Sequence, residues 1–138
     1  MEFCPGFNLK TLLETTDLYV DWQSKFQSSE KTFEQEKQRV AVELIAGVAH
    51  LHSIGVFHRD LKMENIMYNG EVKIVDFGEV CFATKFRKKV GTPSVMAPEV
   101  AREEFTVSAK ADVFTLAAVI YQLMISECCQ KSPLLSAS

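Results

Sequence analysis

An Asn-Gly pair at positions 69 and 70 separates two short β-like runs, Ile66-Met67-Tyr68 and Val72-Lys73-Ile74-Val75. Asn and Gly can hold positive φ at both central positions of a tight turn, so the pair predicts a β-hairpin and fixes where the chain must reverse. Few other signals constrain the fold as tightly. A reversal there brings the residues just before Ile66 beside those just after Val75.

The remaining elements are mainly helical. Apolar residues Phe33, Val40, Ala41, Leu44, Ile45, Val48 and Leu51 recur at three- and four-residue steps, which predicts an amphipathic helix over 33–52. Ser28-Ser29 offers it a start, Glu30 or Glu34 suits its first turn, and Gly55 offers a stop. Upstream, Cys4-Pro5-Gly6 is a turn signal and residues 8–14 are helix-compatible, while 15–31 are polar and mixed. Residues 79–98 are loop-like, with Gly91, Pro93 and Pro98, and a short helix is expected from Glu99 to Arg102. An apolar helix is expected over 113–125, where Thr115 and Gln122 alone are polar; that run is too short to cross a bilayer and suits a core helix. No repeat or low-complexity segment interrupts this order.

With 138 residues, 47% of them apolar and 24% charged, the chain suits one compact domain and excludes collagenous or wholly disordered readings. A formal charge of −3 gives no bulk attraction to nucleic acid or to an anionic membrane, so neither is an expected partner. Cys4, Cys81, Cys128 and Cys129 form no CxxC pair, no His stands at metal-ligand spacing, and the adjacent pair is awkward to bridge. They read as reduced thiols, and the N-terminus has no basic region followed by an apolar run. The expected location is cytoplasmic, with the nucleus left open.

The chemistry-bearing stretch is His58-Arg59-Asp60-Leu61-Lys62-Met63-Glu64-Asn65, followed by Asp76-Phe77-Gly78 and Ala97-Pro98-Glu99. In that order, flanking a hairpin, these motifs resemble the HRDLxxxxN, DFG and APE set of the eukaryotic protein kinases, and the resemblance runs from Met1 to about Met124. Transfer of a γ-phosphoryl group needs a base near the incoming hydroxyl and metal ions on the phosphates. The resemblance therefore implies ATP and Mg²⁺ as cofactors, Asp60 as the base, and Asn65 and Asp76 as oxygen ligands to Mg²⁺. A lone Asp is usually a solvated surface charge; the constellation reverses that reading.

Further roles follow from the same resemblance. Lys62 would sit near the transferred phosphate and Thr92, in Gly91-Thr92-Pro93, would reach Asp60 and Lys62; both positions carry the serine/threonine-kinase pattern. Residues 1–6 resemble the family's hinge, with Met1 as gatekeeper and the backbone of Glu2 and Cys4 bonding adenine. Leu9 and Met67 would lie beneath the ring, supported by Val119 and Leu123, and are otherwise plain core residues. His58 and Phe77 would stack together, Asp112 would accept backbone N–H bonds from the catalytic loop as a scaffold, and Ala117 replaces a common Gly. His50 and His52 read as ordinary helix positions without a role.

The expected fold is mainly α with a small β-hairpin: a partial α+β C-lobe of a protein kinase over 1–125, then an irregular tail over 126–138. No glycine-rich loop, strand lysine or partner glutamate precedes the hinge, so the N-lobe is absent from this stretch. The arginine expected to neutralise Glu99 is absent too, and losing one partner of a buried ion pair costs ~3–5 kcal/mol. Lys88 stands where a phosphorylatable residue often faces Arg59, leaving Thr84 as a weaker switch. Glu79 adds negative charge by the metal site, and the run 85–89 reads as a solvated loop or a substrate- or partner-binding patch. The implied function is a serine/threonine protein kinase, very slow as this chain alone, with a protein substrate and an upstream kinase as partners. The alternative is a catalytically dead interaction fragment that binds substrates or regulators.

Overall fold

The computed structural model describes residues 6–82 and 109–126. A short strand β1 (Phe7–Asn8) leads into helix α1 (Leu9–Glu14), whose first turn is capped by the Asn8 side chain accepting from Thr11 N at 2.8 Å. Thr15 closes α1 and opens helix α2 (Thr16–Ser24), an element not expected in the polar stretch 15–31. Its apolar signal is sparse but helical in spacing: Tyr19 and Trp22 are both buried, with Phe26 four residues on packed against the same core.

Helix α3 (Phe33–Ser53) is the longest described element. Its cap is Thr32 rather than the Ser28-Ser29 pair: Thr32 Oγ1 accepts from Gln35 N, and Gln35 Oε1 accepts from Thr32 N. That reciprocal capping box satisfies two otherwise orphaned donors, which a lone serine further upstream could not do. Val40, Ala41, Leu44 and Val48 form the buried stripe, whereas Ile45 falls off it and is exposed. Gly55, at φ 73°, ends the helix as expected.

Strands β2 (Val56–Phe57) and β5 (Cys81–Phe82) pair antiparallel, so the stretch after position 79 is not all loop. Strands β3 (Ile66–Tyr68) and β4 (Val72–Ile74) form the expected hairpin, with Met67 opposite Lys73, and β1 adds to the outer edge of β3. The turn is three residues long rather than two. Positive φ occurs at Gly70 (101°) and not at Asn69, whose side chain instead accepts from Glu71 N.

Helix α4 (Ala109–Ile125) begins four residues before the expected 113. Asp112, just before the expected start, lies within the first turn with its side chain buried. Leu116, Val119 and Leu123 continue the buried stripe, while Val113, Phe114, Tyr121 and Ile125 are exposed, so the apolar run is buried along one side. Ala117 lies on the exposed side. Leu9, Leu12, Trp22, Val40, Leu44, Val48, Leu61, Ile66, Leu116, Val119 and Leu123 make one core joining α1 to α4 and the hairpin. Among the described residues no helix is long and apolar enough to cross a membrane.

The far end of α4 is tied to α3 by a buried lysine. Lys37 Nζ donates to the carbonyl oxygens of Met124 and Ser126, both at 3.3 Å, and pairs with Glu34 at 3.0 Å. Tyr19 Oη donates to the same Ser126 carbonyl at 2.9 Å. Helix C-terminal carbonyls lack intrahelical partners, and a cation there also meets the negative end of the helix dipole.

Candidate active site

The site grows from the loop between β2 and β3. Two of its backbone N–H groups, those of His58 and Arg59, donate to the Asp112 carboxylate at 2.8 Å each, one to either oxygen. Asp112 thus occupies the scaffold position expected for it. Arg59 sits at φ 72°, the left-handed region that a long side chain seldom enters, so the two bonds hold a conformation the chain would otherwise leave. Past that bend, Asp60 N donates to His58 Nδ1 at 3.2 Å, and His58 Nε2 meets the Val75 carbonyl at 3.1 Å. An acceptor at Nδ1 and a donor at Nε2 define one neutral tautomer of this fully buried ring.

Asp60, Lys62 and Asn65 come together. Lys62 Nζ lies 3.3 Å from Asp60 Oδ2, and Asn65 Nδ2 donates to the Asp60 carbonyl at 2.9 Å and approaches its Oδ2 at 3.4 Å. Asn65 is buried at the end of a 3₁₀ turn (Met63–Asn65) closed by its own N–H to the Lys62 carbonyl. Glu64 of that turn pairs with Lys10 of α1 at 3.1 Å. Burial pushes the Glu64 carboxyl up, but its backbone N–H and Lys10 outweigh that and hold it below the usual range.

Asp76 reaches the site through backbone. Val75 N donates to the Asn65 carbonyl at 2.8 Å, so the base of the hairpin is closed between Asn65 and the residue before Asp76. Asp76 has φ 61°, is exposed, and accepts from Gly78 N at 3.3 Å. The Phe77 ring packs against His58 with centroids 5.1 Å apart and planes at 60°. Met67 is half-buried opposite Asn8, whereas Leu9 has no exposed surface and belongs to the core. Val119 and Leu123 are likewise fully buried. Glu2, Cys4 and Thr92 lie outside the described residues, as do Met1, Thr84, Lys88, the run 85–89 and the segment 97–102.

Two groups of residues without an expected role frame this site. His52 Nε2 lies 2.9 Å from Asp112 Oδ2, the oxygen that also accepts from His58 N. A half-buried histidine in the last turn of an amphipathic helix carries no sequence signal for such a bond. The second group fastens the hairpin to α3. Tyr68 Oη donates to buried Glu36 at 2.6 Å, Arg39 spans Glu36, Glu43 and the Gly70 carbonyl, and Val72 N donates to Glu43 Oε2 at 3.2 Å. Burial alone would raise the Glu36 carboxyl, but hydrogen bonds from Arg39, Tyr68 and Lys31 outweigh it and hold it at about 2. Burial and that carboxylate push the Tyr68 hydroxyl up.

Comparison with known proteins agrees with this geometry. The family model described as protein kinase domain matches residues 1–133. CBL-interacting protein kinase 25 of Oryza sativa subsp. japonica is 38% identical over 99 residues, which are 66% of this chain and 19% of that protein. CBL-interacting serine/threonine-protein kinase 17 of Arabidopsis thaliana is 33% identical over 105 residues, 70% of this chain and 24% of that one. Hormonally up-regulated neu tumor-associated kinase homolog B of Xenopus laevis is 32% identical over 133 residues, 90% of this chain and 19% of that one. The chain therefore spans about a fifth to a quarter of the length of these relatives. A loop, hairpin and helix arranged in this way, together with a family match over nearly all 138 residues, make the chain a member of the protein kinase domain family.

Proposed function

We propose that this chain carries the catalytic centre of a serine/threonine protein kinase, which moves the γ-phosphate of ATP to a Ser or Thr hydroxyl of a protein. The observation that supports it most directly is the Asp60, Lys62 and Asn65 cluster on a loop pinned by Asp112. Asp60 accepts the proton of the incoming hydroxyl and orients it in line with the phosphate. Lys62, now paired with Asp60, offers the positive charge that the transferring group needs. The two charges stand close enough to serve one reacting centre.

The donor set suits Mg²⁺. Asn65 commits its amide nitrogen to Asp60, which leaves the amide oxygen as its cation ligand, and Asp76 brings an exposed carboxylate. Both are hard oxygen donors. Among the described residues no three His, Cys, Asp or Glu side chains converge as a metal cage, which fits an ion completed by phosphate and water. Bound there, Mg²⁺ neutralises charge on the phosphates. Met67 supplies the accessible surface for an adenine ring, with Leu9 as the packing behind it, and Glu2 and Cys4 supply backbone bonds to its edge.

A protein substrate is the partner this reading requires, and an upstream kinase is a further one it admits. These 138 residues contain no G-x-G-x-x-G phosphate-binding loop. Removing a single positioned donor costs ~10²–10³ in rate, so the chain alone is expected to turn over very slowly. A phosphorylation assay with Ser/Thr and Tyr peptides tests the reading. Slow transfer to Ser/Thr peptides, abolished by Asp60→Asn, is the expected result. Transfer that survives Asp60→Asn overturns the role of Asp60, and peptide binding with no transfer under any condition favours an interaction role.

A further inference from the structure

A cavity of about 380 Å³ lies between α1, α2 and the turn of the hairpin, and shares no lining residue with the Asp60, Lys62 and Asn65 cluster. Its walls are Phe7, Leu12, Leu18, Trp22, Phe26 and Tyr68, all apolar or aromatic. It opens to solvent beside Phe7, which is exposed, and beside Asp21 and Lys25, an exposed ion pair. Concave apolar surface is unfavourable in water, so an apolar group able to reach it gains by entering.

The chain carries such a group to this place. At the end of α4, the Ser126 carbonyl accepts from Tyr19 Oη of α2 at 2.9 Å, and the Tyr19 ring packs edge-on against Trp22 with centroids 6.3 Å apart. Trp22 is a wall of the cavity, so the chain after Ser126 sets out one side-chain contact away from it. Twelve residues follow, lying outside the described residues, and such a length spans up to about 40 Å when extended. Tyr19 and Trp22 are less than one helical turn apart, so reach is not limiting. Those twelve hold one group of large aliphatic side chains, Leu134 and Leu135, directly after Pro133. A short tether keeps its end at an effective concentration in the millimolar range, so even weak docking fills the site.

We propose that residues 127–138 fold back along α2 as a strap and seat Leu134 and Leu135 in this cavity. Met67 and Tyr68 are neighbours on β3, and successive side chains of a strand leave opposite faces. A strap seated against Tyr68 therefore braces, from behind, the strand whose Met67 is read as the surface for adenine. That functional meaning rests on the proposed ATP site; the docking itself does not.

The test is NMR on the ¹⁵N-labelled 138-residue chain with labelled leucine methyl groups, as wild type and as Leu134→Ser/Leu135→Ser. Trp22 is the one tryptophan in the sequence, so its indole signals report on the cavity wall without ambiguity. In wild type, NOEs are expected from the indole ring to the Leu134 and Leu135 methyl groups. The double variant loses them and shifts the Trp22 Nε1–H and Gly70 amide signals, while the amides of Leu44 and Val48 in α3 stay in place. Dilution leaves the wild-type pattern unchanged, because strap and cavity belong to one chain. Trp22 and Gly70 signals identical in the two chains overturn the proposal. Contacts that fade on dilution also overturn it, and point to the tail of a second copy. If the variant does not fold, the wild-type NOEs decide, and their absence overturns the proposal. Failure of the chain to bind ATP would count against the proposed activity and leave these contacts standing.

Discussion

Gly6 stands where no side chain fits. A Cβ built on it would lie 2.3 Å from the Tyr68 carbonyl oxygen, and its φ of +112° is closed to most L-residues. The glycine lets β1 lie against β3 and so brings the chain entering α1 beside Met67. Gly6→Ala is expected to cost roughly 1–3 kcal/mol, read as a lower denaturant midpoint. Wild-type stability in that variant would mean that β1 can shift away from Tyr68 at no cost. That Asp60 and Asn65 meet was legible in the sequence because only five residues separate them, whereas Asp112, far along the chain, was reached only through the family resemblance of its segment. His52 was not, since a histidine on a helix face is defined by what stands opposite it, here an aspartate sixty residues away.

Between elements, the hairpin hangs on α3 by three handles: Tyr68 on one strand, Gly70 in the turn and Val72 on the other strand. Glu36 is the group they share, directly or through Arg39. Its folded-state value of about 2 lies below the ordinary 4.5, so folding favours the ionised form. That contribution is complete above about 4.5 and fades as pH falls toward about 2. Thermal melts across this window should show stability falling with acid, and Glu36→Gln should flatten part of that fall while costing roughly 1.5–3 kcal/mol at neutral pH. A Gln variant with the wild-type acid profile would remove Glu36 from the explanation. The hairpin itself was readable from Asn69-Gly70, but its turn was not, because whether Asn69 enters positive φ depends on the third residue, Glu71, and on Arg39 holding the Gly70 carbonyl. Helix α2 was hidden for a related reason: two buried aromatic residues among polar neighbours give too little pattern until the wall they pack on is known.

At the scale of the molecule, one core serves every element that carries the site. Leu123 of α4 is fully buried in the same cluster as Leu9, Leu61 and Ile66, so the loop, the hairpin and both long helices share their packing. Leu123→Ala should therefore cost about 2–5 kcal/mol and shift the unfolding transition seen by every probe together. Separate transitions for helix content and for the environment of Trp22 would show that the core is divided. The broad architecture was legible because amphipathic spacing in α3 and the apolar run in α4 survive without knowledge of their neighbours; which side of α4 is covered was not, since nearly all of its residues are apolar.

Lys37 turns this shared core into something that can be watched. Its side chain is 2% exposed and its amine is held by the Met124 and Ser126 carbonyls at the end of α4 and by Glu34. An amine-reactive reagent should modify the other described lysines while sparing this one, and trypsin should pass over the bond that follows it. Acylation at Lys37 would then mark the moment when α3 and α4 part, a built-in clock for the opening of the domain.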